Sequence, residues 1–290
     1  MISQLIISGL AVGAVYALMA LAMGIIYKAS EVPNFAQGDM AMISAYIAYV
    51  VLVVQGAPFW MAFMVCVLFA MGLGIFFEFA FFRRAKNPNT LNLIIITLGF
   101  QMILYGMAGW TWGSDQRRIS LPFSDSRTYE LFGVSISELN LATILTGIVF
   151  MALLWLFLTK TKWGVAMKAV QQNPMAAKIN GISTNRVMML SFGISSVIGA
   201  IAGLLVAPIT TLDPTMMWDP LLKGFAAAVL GGMTSLPGAI VGGFLLGIME
   251  NLFGFYISLE FKSVVAFLII VLVLWFKPAG LLGHHYVRKV

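Results

Sequence analysis

At 290 residues the chain is long enough for two soluble domains, but its composition excludes a soluble fold. Hydrophobic residues make up 61% of the chain before its 28 glycines are counted, and charged residues make up 10%, against roughly 25% in a typical soluble domain. Because so few charges cannot cover a soluble surface, we interpret the chain as an integral membrane protein, which excludes nucleic-acid binding, a secreted disulfide-bonded domain and a cytosolic enzyme.

The charge-free segments of the chain predict its membrane-spanning helices, because a span needs about 20 apolar residues. The segments are 1–27, 40–77, 87–114, 139–159, 187–212, 224–249 and 263–276. The second segment is too long for one helix, and Gln55-Gly56-Ala57-Pro58 predicts a break within it. Long continuous runs exclude a β-barrel, whose strands alternate apolar and polar residues. The predicted fold class is therefore all-α, a polytopic transmembrane helical bundle.

Basic loops set the predicted orientation of these helices, because cytosolic loops of membrane proteins are enriched in Lys and Arg. Three segments are basic and are expected inside: 83–86, 160–186 and the C-terminal tail. Segment 115–138 holds four acidic residues against three Arg, so we expect an outer loop at about 113–138.

The same orientation fixes the expected number of passes. Segment 187–212 is expected to end outside, so the tail returns to the inside only if the chain crosses an odd number of times between residues 224 and 276. This predicts that the Gly-rich segment 231–238 separates two short helices. The N-terminus then lies outside, and the chain makes about nine passes, several of them broken or incomplete. If one early segment is re-entrant, the number falls to eight and both termini lie inside. In either case residues 1–290 form a single membrane domain.

An internal repeat and small-residue pairs indicate how the helices are arranged. Stretches 8–48 and 191–232 share the order of apolar helix, Pro-containing polar link and small-residue helix, a pattern typical of inverted repeats in transporters. The small-xxx-small pairs are Gly9 with Gly13, Gly199 with Gly203, and Gly238 with Gly242. Such pairs predict close backbone packing, which serves either static assembly or sliding during gating.

The sequence predicts no chemistry of its own. It contains no Gly-x4-Gly-Lys phosphate loop and no grouping of His, Cys and carboxylates with metal-ligand spacing. We therefore expect no ATP hydrolysis, no catalytic residue and no metal site in this chain. Cys66 lies in an apolar run and is interpreted as a small core residue.

The basic segment 160–186 contains a predicted short helix outside the bilayer. Asn173 is a suitable N-cap, Pro174 suits the first helical position and Gly181 suits the stop, which predicts a helix over 174–180. This helix carries the apolar residues Met175, Ala176, Ala177 and Ile179. An apolar helix in a cytosolic loop needs either a partner surface or the headgroup region of the membrane.

Polar residues inside the apolar regions are candidates for a translocation path. Asn34, Gln37 and Asp39 lie at a link between two apolar helices, where broken helices aim dipoles and amides at substrates; alternatively, they cap the following helix. Glu250 needs a partner, the path or an interface, because an ionised carboxylate at the bilayer centre costs about 2.5–3.5 kcal/mol; alternatively, it lies at a headgroup boundary. Lys223 is its candidate partner, with Asp219 as a competitor at i−4.

Three blocks of sequence resemble a known family over nearly the whole chain. They are GLAVGAVYALMALAMGIIY at 9–27 continuing into NFAQGDM at 34–40, NPMAAKINGI at 173–182, and KGFAAAVLGGMTSLPGAIVGG at 223–243 ending near GIME at 247–250. Together they resemble the permease subunits of ABC importers for branched-chain amino acids and related hydrophobic amino acids and amides. Members commonly carry His and Glu where this chain has Gln37 and Asp39, and this departure leaves the substrate open.

The resemblance implies a transport subunit of the bacterial inner membrane rather than an enzyme. It implies coupling to an ATPase subunit through residues Gly164, Asn173, Pro174, Met175, Ala176, Ala177, Ile179 and Gly181. It also implies no cofactor in this chain, two partner subunits that bind ATP and Mg²⁺, and a periplasmic substrate-binding protein. A second permease subunit is expected, a sister chain in preference to a second copy, with lipid but no nucleic acid as a further partner.

Alternative functions stay open at the level of the sequence. Within the same family the substrate could be urea, a short amide or a small carboxylate. Outside it, an ion-coupled secondary carrier would need buried carboxylates as ion sites, and only Glu250 clearly qualifies. A water or glycerol channel with paired Asn-Pro helix caps is disfavoured, because Asn87-Pro88 and Asn173-Pro174 both fall in predicted cytosolic loops.

Overall fold

A computed structural model describes residues 2–86, 88–119, 121–123, 127–131 and 134–283. Its helices are α1 (Ile2–Ser30), α2 (Gln37–Tyr49), α3 (Phe59–Phe77), α4 (Thr90–Trp112), α5 (Glu138–Lys160), α6 (Lys162–Gln172), α7 (Pro174–Ile179), α8 (Thr184–Thr210), α9 (Trp218–Gly231), α10 (Leu236–Tyr256) and α11 (Val264–Phe276). Turns of π-helix, Val50–Val54 and Glu78–Phe82, extend α2 and α3. Two short antiparallel strands, β1 (Thr128–Leu131) and β2 (Val134–Ser137), pair with Thr128 opposite Ser137.

The predicted all-α polytopic bundle is confirmed. Among the described residues, seven helices are long and apolar enough to cross a membrane: α1, α2 and α3 with their π-helical extensions, α4, α5, α8 and α10. Helix α11 is apolar but shorter, and α9 has 14 residues. The choice between eight and nine passes therefore stays a prediction.

The predicted helix breaks are present in the structure. The first apolar pair separates between Val54 and Phe59, and α9 ends at Gly231 before α10 begins at Leu236. Gly232, between α9 and α10, has a φ of +103°, a conformation that favours glycine. The repeated order of helix, link and helix is also present, as α1 with α2 and α8 with α9.

Two elements were not predicted. The segment 160–186 holds a second helix, α6, before the predicted one, and the expected outer loop contains the β1–β2 hairpin. Helix α6 begins where the Oγ1 of Thr161 accepts a hydrogen bond from the Gly164 amide at 3.1 Å, which is an N-cap. The sequence did not show α6 as a separate helix, because only one residue separates it from the end of α5.

One compact unit consists of α1 up to Gly24, the hairpin with the first half of α5, and the chain from Leu222 onward. At one end of this unit, the amide of Leu281 donates to the Leu230 carbonyl at 2.8 Å, so the chain after α11 lies at the α9–α10 break. At the other end, residues of the hairpin line a cavity together with Ser8 of α1 and Phe255 of α10. The residues just after α11 and the hairpin in the predicted outer loop therefore lie at opposite ends of α10. The rest of the predicted inner tail, 284–290, lies outside the described residues.

The second compact unit consists of α1 from Ile25, helices α2 to α4, the second half of α5, α6 to α8 and α9 up to Leu221. Helices α2, α3 and α8 pack around a core of small residues that includes Ala48, Cys66 and Ala200. The Arg117 amide and the Leu212 carbonyl, just after α8, are hydrogen bonded at 2.9 Å, so the outer loop meets that end of α8. This contact agrees with the predicted alternation of the loops.

Glycines make the contact between α1 and α10 in the first unit possible. A Cβ added at Gly13 would lie 2.9 Å from the Cα of Phe244, and one added at Gly247 would collide with the Gly13 backbone. Lipid tails are as apolar as Leu, so such close backbone contact is the main attraction available to membrane helices. The contact between α1 and α10 therefore needs glycine because the two backbones lie so close together, not because the chain takes a special backbone conformation there.

Gly247→Leu should prevent α10 from packing on α1, because the new side chain has no space against the Gly13 backbone. Overpacking costs about 1–3 kcal/mol where side chains can adjust, and a backbone cannot give way as they do. We expect a lower melting temperature and loss of the monodisperse peak in size-exclusion chromatography of detergent-solubilised protein. Gly106→Leu is the matched control, since nothing lies within 4 Å of a Cβ there. Equal melting temperatures and elution profiles of the two variants would contradict the close packing of α10 on α1.

Candidate coupling helix and translocation path

The short helix α7 has the caps that the sequence predicted. The Oδ1 of Asn173 accepts a hydrogen bond from the Ala176 amide at 3.0 Å, and Pro174 occupies the first turn. The helix ends at Ile179, one residue earlier than predicted, and Gly181 follows with a φ of +80°. These local interactions give a defined conformation to a helix of only six residues.

The side chains of α7 divide into a buried contact and an exposed pair. Ala177 is 4% exposed and packs in a cluster with Val170 of α6 and Val187 of α8. Met175 and Ile179, four residues apart and so on one helix face, are 70% and 80% exposed. Of the predicted apolar residues, Met175 and Ile179 are thus available to a partner, while the Ala177 side chain faces this chain's own helices.

Gly164 holds α6 against the end of α5. A Cβ at Gly164 would collide with the backbone of Leu158, so only glycine allows this approach. Gly164 is a buried residue of α6, so its role is in packing this helix against α5. Helices α6 and α7 are thus attached to the membrane helices by close backbone contact at one end and by the Ala177 cluster at the other.

A buried ion pair that the sequence analysis missed joins α3 to the start of α8. The Nε and Nη2 atoms of Arg83 donate to the two carboxylate oxygens of Glu78 at 3.0 and 2.6 Å, and Nη2 also reaches the Asn185 carbonyl at 3.3 Å. Glu78 is buried. The signal available in the sequence was an acid at the end of a long apolar run, five residues before an Arg; only the π-helical turn brings the two side chains together.

Asn34 and Gln37 lie in a buried hydrogen-bonded group at the start of α2. The Nε2 of Gln37 donates to the Ser195 carbonyl at 2.9 Å, and the Ser195 hydroxyl donates to Gln37 Oε1 at 3.1 Å. The Oδ1 of Asn34 accepts from the Ala36 amide at 3.1 Å. This group fixes α2 against α8, and the sequence analysis did not identify Ser195.

Asp39 lies in the first turn of α2, where a carboxylate suits the helix dipole, and its side chain is buried. Neither oxygen of its carboxyl group has a hydrogen-bond partner among the described residues. No side chain caps α2 through a hydrogen bond at its N-cap, Ala36, although Asn34 turns the chain there and Asp39 occupies the first turn. A role for these residues in lining a path stays a prediction.

Glu250 and Lys223 form the pair that the sequence suggested. The Lys223 ammonium lies 2.6 Å from Glu250 Oε1 and 5.6 Å from the centre of the Tyr16 ring. Lys262, which the sequence analysis did not consider, lies 4.0 Å from the same oxygen. Glu250 is 1% exposed, so it lies inside this unit. Lys223 and Glu250 are thus brought together in the first unit, while Asn34, Gln37 and Asp39 belong to the second.

The long apolar helices, with Glu78 and Glu250 paired to cations in the interior, and a capped short helix with exposed apolar side chains define a multi-pass membrane protein of the permease type. A family model described as "Branched-chain amino acid transport system / permease component" matches residues 5–274. The chain belongs to this family. It is a transport permease subunit rather than an enzyme, and such subunits carry no cofactor of their own.

Individual relatives cover almost the full chain. The high-affinity branched-chain amino acid transport system permease protein LivH of Escherichia coli strain K12 is 31% identical over 301 residues, which cover 99% of this chain and 97% of that protein. The corresponding protein BraD of Pseudomonas aeruginosa is 30% identical over 302 residues, with coverage of 99% and 97%. The fold is also similar to that in the solved structure of PsaBC from Streptococcus pneumoniae in complex with Fab, with a TM-score of 0.52, 13% identity, and coverage of 94% of this chain and 91% of that chain.

Arg83→Gln should destabilise the protein, because it leaves the buried Glu78 carboxylate without its cation. Breaking a buried ion pair from one side costs about 3–5 kcal/mol, and we expect the lower end because Arg83 is partly exposed. Combining it with Glu78→Gln removes the unpaired charge and should recover at least half of the lost melting temperature. Thermal unfolding in detergent measures both effects, with the exposed Lys86→Gln as control; if Arg83→Gln melts like this control, the pair is not important for stability.

Proposed function

We propose that this chain is a permease subunit of an ATP-driven importer for branched-chain and related amino acids in the bacterial inner membrane. Two ATP-binding subunits that hold ATP and Mg²⁺ supply the energy, and a periplasmic binding protein delivers the substrate. A second permease subunit, homologous to this chain but different from it, completes the path. Family membership supports the transport role, and the names of the full-length relatives favour branched-chain amino acids over urea, short amides or small carboxylates.

The observation that carries this proposal is the apolar face of α7. Met175 and Ile179 are large apolar side chains that the rest of the described chain leaves exposed on a helix in a basic segment. A pair of apolar anchors four residues apart is how a helix binds in the groove of a partner. A groove in an ATP-binding subunit is the partner surface that we propose for them.

The contacts of α7 with other helices connect a bound partner to the membrane helices. Because Ala177 packs on Val187, a displacement of α7 pushes directly on the first turn of α8. Arg83 binds the Asn185 carbonyl in that same turn and Glu78 at the end of α3. Movement of α7 is therefore passed to α8 and α3 together, and this chain needs no energy source of its own.

Asn34 and Gln37 have a supporting role in this proposal. The hydrogen bonds of Gln37 with Ser195 hold α2 against α8, so α2 follows when α8 moves. Asn34 supports Gln37, because its Nδ2 donates to Gln37 Oε1 at 3.5 Å. Buried and satisfied amides of this kind specify one packing of helices in lipid, where an unmatched donor has no water to bind. The amides thus position the helices around the path whether or not they touch the substrate.

Met175→Asp combined with Ile179→Asp should uncouple transport from ATP hydrolysis, because two carboxylates cannot enter an apolar groove. In the complete importer reconstituted in proteoliposomes, we expect ATP-driven uptake of labelled leucine to fall at least tenfold, while the permease subunit still folds and inserts. The control is Met175→Leu with Ile179→Leu, which keeps the apolar face. Substitution of Ala177 is avoided, because its side chain is buried and a charge there would disturb the fold itself.

Uptake at the wild-type rate by the double Asp variant would contradict the docking role of α7. The wild-type complex tests the proposed function as a whole: uptake must require ATP, the ATP-binding subunits and the binding protein. Uptake by the lone chain driven by a pH gradient would instead identify an ion-coupled carrier.

A further inference from the structure

A charged cluster of Lys223, Glu250 and Lys262 lies inside the first unit, apart from the coupling helix. Lys223 Nζ and Lys262 Nζ lie 2.6 and 4.0 Å from a single oxygen, Glu250 Oε1. Lys262 also donates to Asn251 Oδ1 at 2.9 Å. Two ammonium groups therefore lie beside one carboxylate oxygen in the interior of a membrane protein, where charge is expensive.

The second oxygen of the carboxylate makes the cluster incomplete. Glu250 Oε2 is buried and has no hydrogen-bond partner among the described residues. A buried carboxylate oxygen without a donor loses its hydration without compensation. The cluster therefore offers a hydrogen-bond acceptor close to the Lys262 ammonium.

Lys262 is the accessible member of the cluster. It lies in the turn between α10 and α11, its side chain is 31% exposed, and its stem passes over Gly254, where a Cβ would lie 3.2 Å from Lys262 Cδ. Glu250 precedes the end of α10 by six residues, or about 9 Å at 1.5 Å per residue. Lys262 thus lies over Glu250 on the side of the α10 end and is partly open to the exterior.

The cluster lies toward the predicted outer face. The Nδ2 of Asn251 donates to the Leu5 carbonyl near the start of α1 at 3.5 Å. Phe255, one turn beyond Asn251, lines a cavity with Thr128 and Ser137 of the hairpin in the predicted outer loop. A substrate released by a periplasmic binding protein arrives from this side.

We propose, on the basis of the function proposed above, that Glu250 and Lys262 form a transient site for the zwitterionic backbone of an α-amino acid. The Lys262 ammonium binds the substrate carboxylate, and Glu250 Oε2 accepts a hydrogen bond from the substrate ammonium, while Lys223 keeps Oε1. A ligand with only a carboxylate gives Glu250 Oε2 no hydrogen-bond donor. A ligand with only an ammonium is repelled by Lys223 and Lys262. The cluster therefore selects molecules that carry both charges, whatever their side chain.

The test uses the complete importer in proteoliposomes, with L-leucine and its binding protein. Lys262→Met keeps most of the stem but removes the charge, and Lys262→Arg keeps the charge. We expect leucine uptake to fall at least tenfold in Lys262→Met and to retain at least half of the wild-type rate in Lys262→Arg. Both variants should still assemble with the ATP-binding subunits, which size-exclusion chromatography of the solubilised complex measures. Glu250→Gln should behave like Lys262→Met, with the exposed Glu260→Gln as its matched control.

A second readout separates substrate binding from a structural role. Leucine-loaded binding protein should stimulate ATP hydrolysis more than empty binding protein in the wild type, and this difference should disappear in Lys262→Met. Uptake within twofold of wild type in Lys262→Met, or failure of that variant to assemble while Lys262→Arg assembles, would overturn the proposal. A wild-type complex that shows no ATP-driven amino acid uptake would instead refute the proposed function, so the two failures are distinguishable.

Discussion

A bilayer offers a buried charge neither a hydrogen bond nor a counterion, and this constraint explains why the carboxylates of Glu78 and Glu250 lie beside cations. The Nε and Nη2 atoms of Arg83 both donate to the Glu78 carboxylate, and the Lys223 ammonium pairs with Glu250. Gln37 and Ser195 exchange two hydrogen bonds in the interior. Each of these groups fixes a helix–helix contact at a defined position, whereas apolar side chains pack as well against lipid as against protein. The polar residues therefore specify how the helices are arranged.

Glycine contacts complete the arrangement. Gly13 and Gly247 bring α1 and α10 together in one unit, and Gly74 lies against the Phe192 backbone between α3 and α8 in the other. Contacts of this kind set the distance between two helices, because backbones that touch cannot approach further. The π-helical turn that carries Glu78 joins α3 to the start of α8 through Arg83.

Much of the fold followed from the sequence because lipid leaves few choices. Long charge-free runs can only be helices, and Gly-Pro breaks such as 55–58 and 231–238 fell where helices end. The caps of α7 were predictable because Asn173, Pro174 and Gly181 act locally. The Glu78–Arg83 pair was missed because its five-residue spacing does not meet on an α-helix, and Ser195 because its partner lies 158 residues away in the chain. Lys262 was overlooked because it lies in a turn outside the apolar segments, where a lysine normally faces water.

We propose above all that an ATP-binding subunit binds this chain at α7 from the cytosolic side. The most direct measurement is cross-linking from Ile179→Cys in the assembled importer, since the native Cys66 is buried and does not compete. The account predicts a cross-link between this position and an ATP-binding subunit, and no labelling by a membrane-impermeant thiol reagent added outside intact cells. Labelling from outside, or an assembled and active importer in which this position cross-links only to other proteins, would contradict it.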